Sequence, residues 1–187
     1  MVAPAREAQG IENVMSFAFL STFPVWLGVL IALGTVAAME FTAYAVHRWV
    51  MHGPLGWGWH ASHHEETEGW WERNDLYAVV FAVIATALFV IGATGPVWLW
   101  YIGLGTTLYG ILYFIAHDGL VHQRLPFRLV PRGGYMQRLY QAHRLHHAVD
   151  GREGCVSFGF LYAPPVRVLK DQLKKNRERI HEYQYHD

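Results

Sequence analysis

The chain has 187 residues, 52% hydrophobic and only 16% charged, with 15 basic and 15 acidic residues and no formal net charge. A soluble domain usually carries about 25% charged residues, and a balanced charge argues against a nucleic-acid partner. A single cysteine, Cys155, excludes an intramolecular disulfide framework and a thiolate metal cluster, whereas 12 histidines are an outstanding bias.

In chain order, the first 12 residues lack the basic region of a cleavable signal peptide. No residue from Asn13 to Met39 is charged, and a helix of about 20 residues crosses a bilayer core. The first span is therefore expected over about 16–46, its start left open between Ser16 and Pro24. Leu76 to Ala116 is again free of charge, with Gly95-Pro96 near its middle as a turn. This predicts spans over 76–93 and 96–116. A buried soluble core is the alternative, but such helices show a polar face and these stretches show none. The apolar run Cys155–Val166 is too short to span and is expected to be interfacial or re-entrant. The polar tail 169–187 reads as a charged amphipathic helix on an anionic leaflet or, less well, as a docking face.

This topology predicts an all-α polytopic membrane protein with three to four transmembrane helices and a histidine-rich helical cap, as one domain over 1–187. All the histidines fall on one face. Only Arg6 among the basic residues precedes the first span and none lies within 76–116, so the positive-inside rule makes that face cytoplasmic.

Ten histidines form two similar sets. His47 and His52 are followed by His60, His63 and His64; His117 and His122 are followed by His143, His146 and His147. The pattern HX4H then HX2HH thus occurs twice, over 47–64 and 117–147. Positions i, i+3 and i+4 share a helix face, so each triplet can converge. The second lies on an amphipathic stretch where Met136, Leu139 and Tyr140 share its face, ended by Asp150-Gly151. Positions i and i+5 diverge by about 140° on an α-helix. The HX4H pairs therefore require that they bracket a site or that the helix loosens, which Gly53-Pro54 and Gly119 are placed to permit. Imidazole suits iron, zinc, copper and nickel. Ten ligands fit two ions with four or five histidines each. His181 and His186 lie outside the boxes and read as solvent-exposed.

Three acids are candidates for supporting roles. Glu40, in the first span, precedes His47 by seven residues and shares its helix face; an ionisable group there is a functional hypothesis, and a carboxylate can orient a ligand histidine. Asp118 follows His117 and is a similar candidate. Asp75, with Asn74, opens the second span as an N-cap or as part of the metal surroundings. Trp49, Trp57, Trp59, Trp70 and Trp71 read as interfacial anchors in preference to substrate walls. Gly103, Thr107 and Gly110 favour close helix packing.

The stretches HRWVMHGPLGWGWHASHHEE, NDLYAVVFA, HDGLVHQRLPFR and YQAHRLHHAVDGREGCVSFGFLYAPP resemble the bacterial β-carotene 3-hydroxylases, members of the wider membrane fatty-acid hydroxylase superfamily. The resemblance covers roughly residues 36–168. It implies a non-haem di-iron oxygenase that inserts one oxygen atom from O2 at carbon 3 of a β-ionone ring. β-Carotene would pass through β-cryptoxanthin to zeaxanthin, and some members accept ketolated rings. Electrons would come from ferredoxin and NAD(P)H, since the chain has no flavin or haem motif. It also implies a bacterial inner-membrane location. Oxidising a ring carbon needs a redox metal, which excludes zinc as the working ion, although zinc can replace iron by affinity. A desaturase, ketolase or lipid hydroxylase shares the histidine chemistry, and a non-catalytic membrane metal-binding protein is the rival outside enzymes.

Overall fold

The computed structural model describes residues 17–65, 71–127 and 129–186, and every regular element among them is helical. Three helices are long and apolar enough to cross a membrane: Val25–Met51, Asp75–Thr94 and Val97–Val121. A 3-10 turn, Ala18–Thr22, precedes α1 (Val25–Ala45). The first span therefore starts at the later of the two positions left open. The reason is local: Phe23, before Pro24, is extended at φ −124°, as a residue preceding proline must be. The Pro24 carbonyl then accepts the first helical N–H groups, from Leu27 and Gly28 at 3.0 Å each.

The described residues form two compact units, one within 17–39 and 78–110, the other within 40–77 and 111–186. In the first, parts of α1, α3 (Asp75–Thr94) and α4 (Val97–Tyr113) pack through small residues. A Cβ on Gly105 would meet the Ala32 carbonyl and the Thr35 side chain at 2.5 Å, so only glycine allows this approach. Gly103 meets Ala85 in the same way, whereas Thr107 and Gly110 are exposed. Of the three residues expected to pack closely, Gly103 alone does so, against α3, while Gly105 meets α1 from the other side of the helix. Threonine hydroxyls return to carbonyls one turn back, as Thr86 to Ala82 at 2.8 Å and Thr106 to Ile102 at 2.9 Å. That satisfies them where water is absent. Much of the helical surface is exposed and apolar, Val83 and Phe41 among it, which suits lipid as the surrounding solvent.

The second unit contains every boxed histidine. Here α1 continues without a break into a π-helical turn, Val46–Met51, and α4 into another, Phe114–Val121. Between and after them lie α2 (Trp57–His64), α5 (Gly134–His146) and α6 (Val166–His186). A small core joins Ala116, Leu139, Ala142, Val156, Ala163, Leu169 and Leu173. Leu169 is 1% exposed, and truncating such a residue to alanine costs about 2–5 kcal/mol. Helix α6 therefore buries one face while Lys170 and Lys174 stay exposed. Helix α5 ends at His146, earlier than the Asp150-Gly151 stop, and Met136 is 46% exposed. Leu139, Ala142, His143 and His146 form its inner face.

Candidate metal centre

The two HX4H pairs sit on the two π-helical turns. The His52 N–H bonds the His47 carbonyl at 3.0 Å, and the His122 N–H bonds the His117 carbonyl at 2.9 Å. An α-helix points residues i and i+5 apart. A π turn closes its ring at i+5 and brings them to one side, which is why such turns recur at functional sites. The required loosening is therefore built into the helix ends.

The triplets behave otherwise than expected: each lines one helix face but its members part company. His47, His52, His60 and His146 form one convergent group, and His63, His117, His122 and His143 form another, ligand atoms lying within 4.8 Å of one another. His64 lies beside the first group, its ring 5.1 Å from that of His52. His147 joins the second, its Nε2 3.0 Å from that of His143. The groups adjoin, for the His64 and His147 rings are 4.6 Å apart. Each triplet thus divides two to one between the groups, His63 and His146 crossing over. Positions i and i+3 stand about 60° apart around a helix axis, enough to aim at different centres.

The far ring nitrogens fix the tautomers. Carbonyl oxygens accept from Nδ1 of His47 (Phe158, 2.9 Å), His52 (Arg152, 2.8 Å), His64 (Val149, 3.0 Å) and His146 (Val156, 2.9 Å). Asn74 Oδ1 accepts from His60 at 2.8 Å. A carbonyl only accepts, so each Nδ1 carries the proton and each Nε2 is a bare lone pair. Yet Nε2 atoms face one another at 3.2 Å for His47 and His60 and at 3.1 Å for His52 and His146. Facing lone pairs repel and cannot be hydrogen bonds. The buried Nε2 of His64 has no partner at all. A cation among these atoms resolves both facts, so the residues fit a metal.

Burial favours the neutral, ligand-competent ring. It pushes His52 down to about 4, against the opposing Arg152 carbonyl bond, and His60 down to about 3, against Asn74. His122 falls to about 4, through burial and then the nearby Arg124 charge. His63, His143 and His146 are driven well below their ordinary value by burial and by neighbouring imidazoles.

Behind the second group stand carboxylates. Glu72 Oε2 accepts from His63 Nδ1 at 2.9 Å, and Asp118 Oδ1 from His117 Nδ1 at 2.8 Å. Arg124 ties them together, bonding Glu72 at 2.5 Å and Asp75 at 2.8 Å and lying 3.8 Å from Asp118. Asp75 also accepts from the Glu72 N–H at 2.9 Å. It therefore closes a turn before α3 and anchors Arg124; its partner is an upstream N–H, so this is not the N-cap bond expected of it.

Glu40 differs from expectation. Its carboxylate accepts the backbone N–H groups of Phe160, Leu161 and Tyr162 at 3.0, 3.0 and 2.9 Å, while the His47 Nδ1 proton goes to Phe158. Sharing a helix face with His47 aimed it at the chain beside the histidine and not at the ring. It clamps the apolar stretch 155–163, which is mostly buried and non-helical and supplies the carbonyls on His47 and His146. Ser157, between those carbonyls, has φ 61°, a strain of about 1–3 kcal/mol that the surroundings must hold. Cys155 also reaches the first group. Burial pushes its thiol up to about 12.

Trp49, Trp59 and Trp71 are exposed, as anchors would be, but the Trp57 ring packs 5.4 Å from those of His52 and His64. Trp70 and the His186 side chain lie outside the described residues; His181 is exposed. Next to Trp57 opens a cleft of about 760 Å3 lined by Val149, Arg152, Glu153, Arg177 and His181, too charged to suit a hydrocarbon.

The fatty acid hydroxylase family matches residues 31–164. The chain belongs to that family. The matched segment of this family member takes in Glu40, all ten boxed histidines and the clamped stretch. The chain is 67% identical over 147 residues to the β-carotene hydroxylase of Paracoccus sp. (strain PC1), covering 79% of this chain and 91% of that one. It is 58% identical over 151 residues to that of Pantoea ananas, covering 81% and 85%. A chloroplastic β-carotene hydroxylase of Capsicum annuum is 38% identical over 158 residues, 80% of this chain and 49% of its own length. No solved structure matches.

Reasoning from sequence missed Glu72, Arg124 and the Asn74 side chain as supports. The signal available for two of them was position: Glu72 and Asn74 lie in the short segment between the first histidine triplet and α3.

Proposed function

We propose that the chain is a β-carotene 3-hydroxylase, a non-haem di-iron monooxygenase that adds one oxygen atom from O2 to each β-ionone ring. The observation that carries the metal reading is the convergence of bare Nε2 lone pairs in two adjoining groups. The substrate reading rests on the bacterial relatives, matched over most of their length. The overall change per ring is R–H + O2 + 2e⁻ + 2H⁺ → R–OH + H2O. Two iron ions would supply the activation of O2 and the electron storage that no side chain here can provide.

The remaining work falls to the chain. His47, His52, His60 and His146, with His64 beside them, would hold one ion; His63, His117, His122 and His143, with His147, the other. Phe158, Arg152, Val156 and Asn74 hold the first rings in register, and Glu72 and Asp118 hold the second. Burial keeps the imidazoles neutral and the site dry. Electrons would arrive from ferredoxin and NAD(P)H. Nearly all the basic residues lie beyond the spans on the histidine side, which supports a cytoplasmic site on the bacterial inner membrane. The basic face of α6 would rest on anionic lipid.

The substrate would enter sideways from the lipid. His47 and His117 close the first and third spans, at the depth where one ring of a bilayer-length molecule sits while its polyene stays among lipid tails. Each end must then be presented separately.

Expression in a β-carotene-accumulating host tests the reading. β-Cryptoxanthin should appear first and zeaxanthin later, strictly with O2. Ketolated or desaturated pigment without hydroxyl groups would replace this assignment with ketolase or desaturase activity. Unchanged β-carotene in cells holding folded, metal-loaded protein would move the substrate to another apolar lipid.

A further inference from the structure

We propose that the two metal sites are unequal: the site of His63, His117, His122 and His143 holds its ion more tightly, and with more electron-rich ligands, than the site of His47, His52, His60 and His146. This rests on the dinuclear reading above and adds an order to it.

The cause lies behind the rings. Glu72 and Asp118 accept the Nδ1 protons of His63 and His117 at 2.9 and 2.8 Å. A carboxylate acceptor draws that proton outward, pushes electron density to Nε2 and makes the imidazole a stronger donor. It also brings negative charge close to a dication surrounded by uncharged ligands. The other rings donate to neutral acceptors, namely the Phe158, Arg152 and Val156 carbonyls and Asn74 Oδ1. Arg124 does not cancel the difference. Its single positive charge is divided among Glu72, Asp75 and Asp118, so the group remains net negative. Its bonds instead hold Glu72 and Asp75 in place. Glu72 and Arg124 are therefore positioning residues, and neither belongs to a histidine box.

Two consequences follow from the donor strengths. Iron supplied below two equivalents fills the His117 site first. The ion in the His47 site, with weaker donors, is the more easily reduced.

The test loads metal-stripped, detergent-purified full-length protein with ferrous iron under anaerobic conditions and then removes it with a graded chelator. Wild type should bind two ions per chain and release them in two steps at least about 10-fold apart. Asp118→Asn should weaken the tighter step by about 10–100-fold, the usual loss when such a support is removed. Asn74→Asp, which places a carboxylate behind His60, should strengthen the weaker step. Mössbauer spectra need no variant: one equivalent of iron-57 should give mainly one quadrupole doublet, and a second equivalent should bring the other up to equal area. Asp118→Asn should shift the doublet that fills first. Two ions released in one step with one shared doublet would overturn the inequality and leave the dinuclear reading intact. So would an Asp118→Asn effect confined to the weaker step. Fewer than two ions per chain would overturn both.

Discussion

Around His47 the far ring nitrogens rest on the Phe158, Arg152 and Val156 carbonyls and one amide oxygen; around His117 they rest on Glu72 and Asp118, joined by Arg124. Both groups use a π-helical turn for one pair and borrow a histidine from the other half's triplet. The ligand pattern is duplicated, but what supports it is not. One group depends on the shape of a backbone segment, the other on charge. Damage to backbone conformation should therefore fall on the first group, and changes of charge on the second.

The strongest challenge to this comparison is loss of a crossing histidine. His146→Ala should abolish hydroxylation and empty the His47 site, although His146 belongs to the second sequence half. His63→Ala should do the same to the His117 site. Iron per chain should fall toward one in each, with the surviving Mössbauer doublet differing between them. If His146→Ala instead erased the signal of the His117 site, the crossed partition would be wrong.

Next in size is the pair Gly53→Ala and Gly119→Ala. A Cβ on Gly53 would strike the Trp49 carbonyl, which is backbone and cannot step aside. A loss of about 3 kcal/mol or more is expected, at the upper end of overpacking costs. A Cβ on Gly119 would press on the flexible end of Leu125, at 2.8 Å, and reach the Phe114 carbonyl only at an ordinary contact distance of 3.5 Å, and alanine gains about 0.5–1 kcal/mol within a helix. The net cost there should be about 1 kcal/mol or less. Thermal unfolding in detergent reads both, and equal losses would mean that the two turns are equally constrained.

Smaller effects are expected at the supports. Glu40→Gln keeps size but puts an amide group where a carboxylate accepts three backbone N–H bonds. Activity should drop about 10-fold, more than the amount of folded protein, because the misplaced segment carries the carbonyls on His47 and His146. Iron in the His117 site should be retained. Full activity and full iron content would make Glu40 merely tolerated. The smallest change is expected for His181→Ala, where an exposed residue outside both groups is altered; activity should stay within about twofold, in line with surface substitutions.

The sequence by itself determined the class of chemistry. Two charge-free stretches, the second long enough for two spans, specify membrane helices because hydrocarbon solvates no charge, and ten histidines in a doubled pattern specify nitrogen ligands for two ions. It also posed the HX4H problem, since five residues do not fit an α turn, and named a loosened helix as one answer. Asp118 was legible because it adjoins His117. Tertiary structure decided the rest. Which of two neighbouring histidines meets which centre depends on how a helix is rotated in place, and spacing cannot set that. The supports of the His47 group were invisible for a deeper reason: every residue carries a carbonyl, so nothing at Phe158, Arg152 or Val156 marks the one that will accept a histidine proton. Glu72 and Arg124 carry distinctive side chains, but only folding brings residues so far apart in sequence onto one bond.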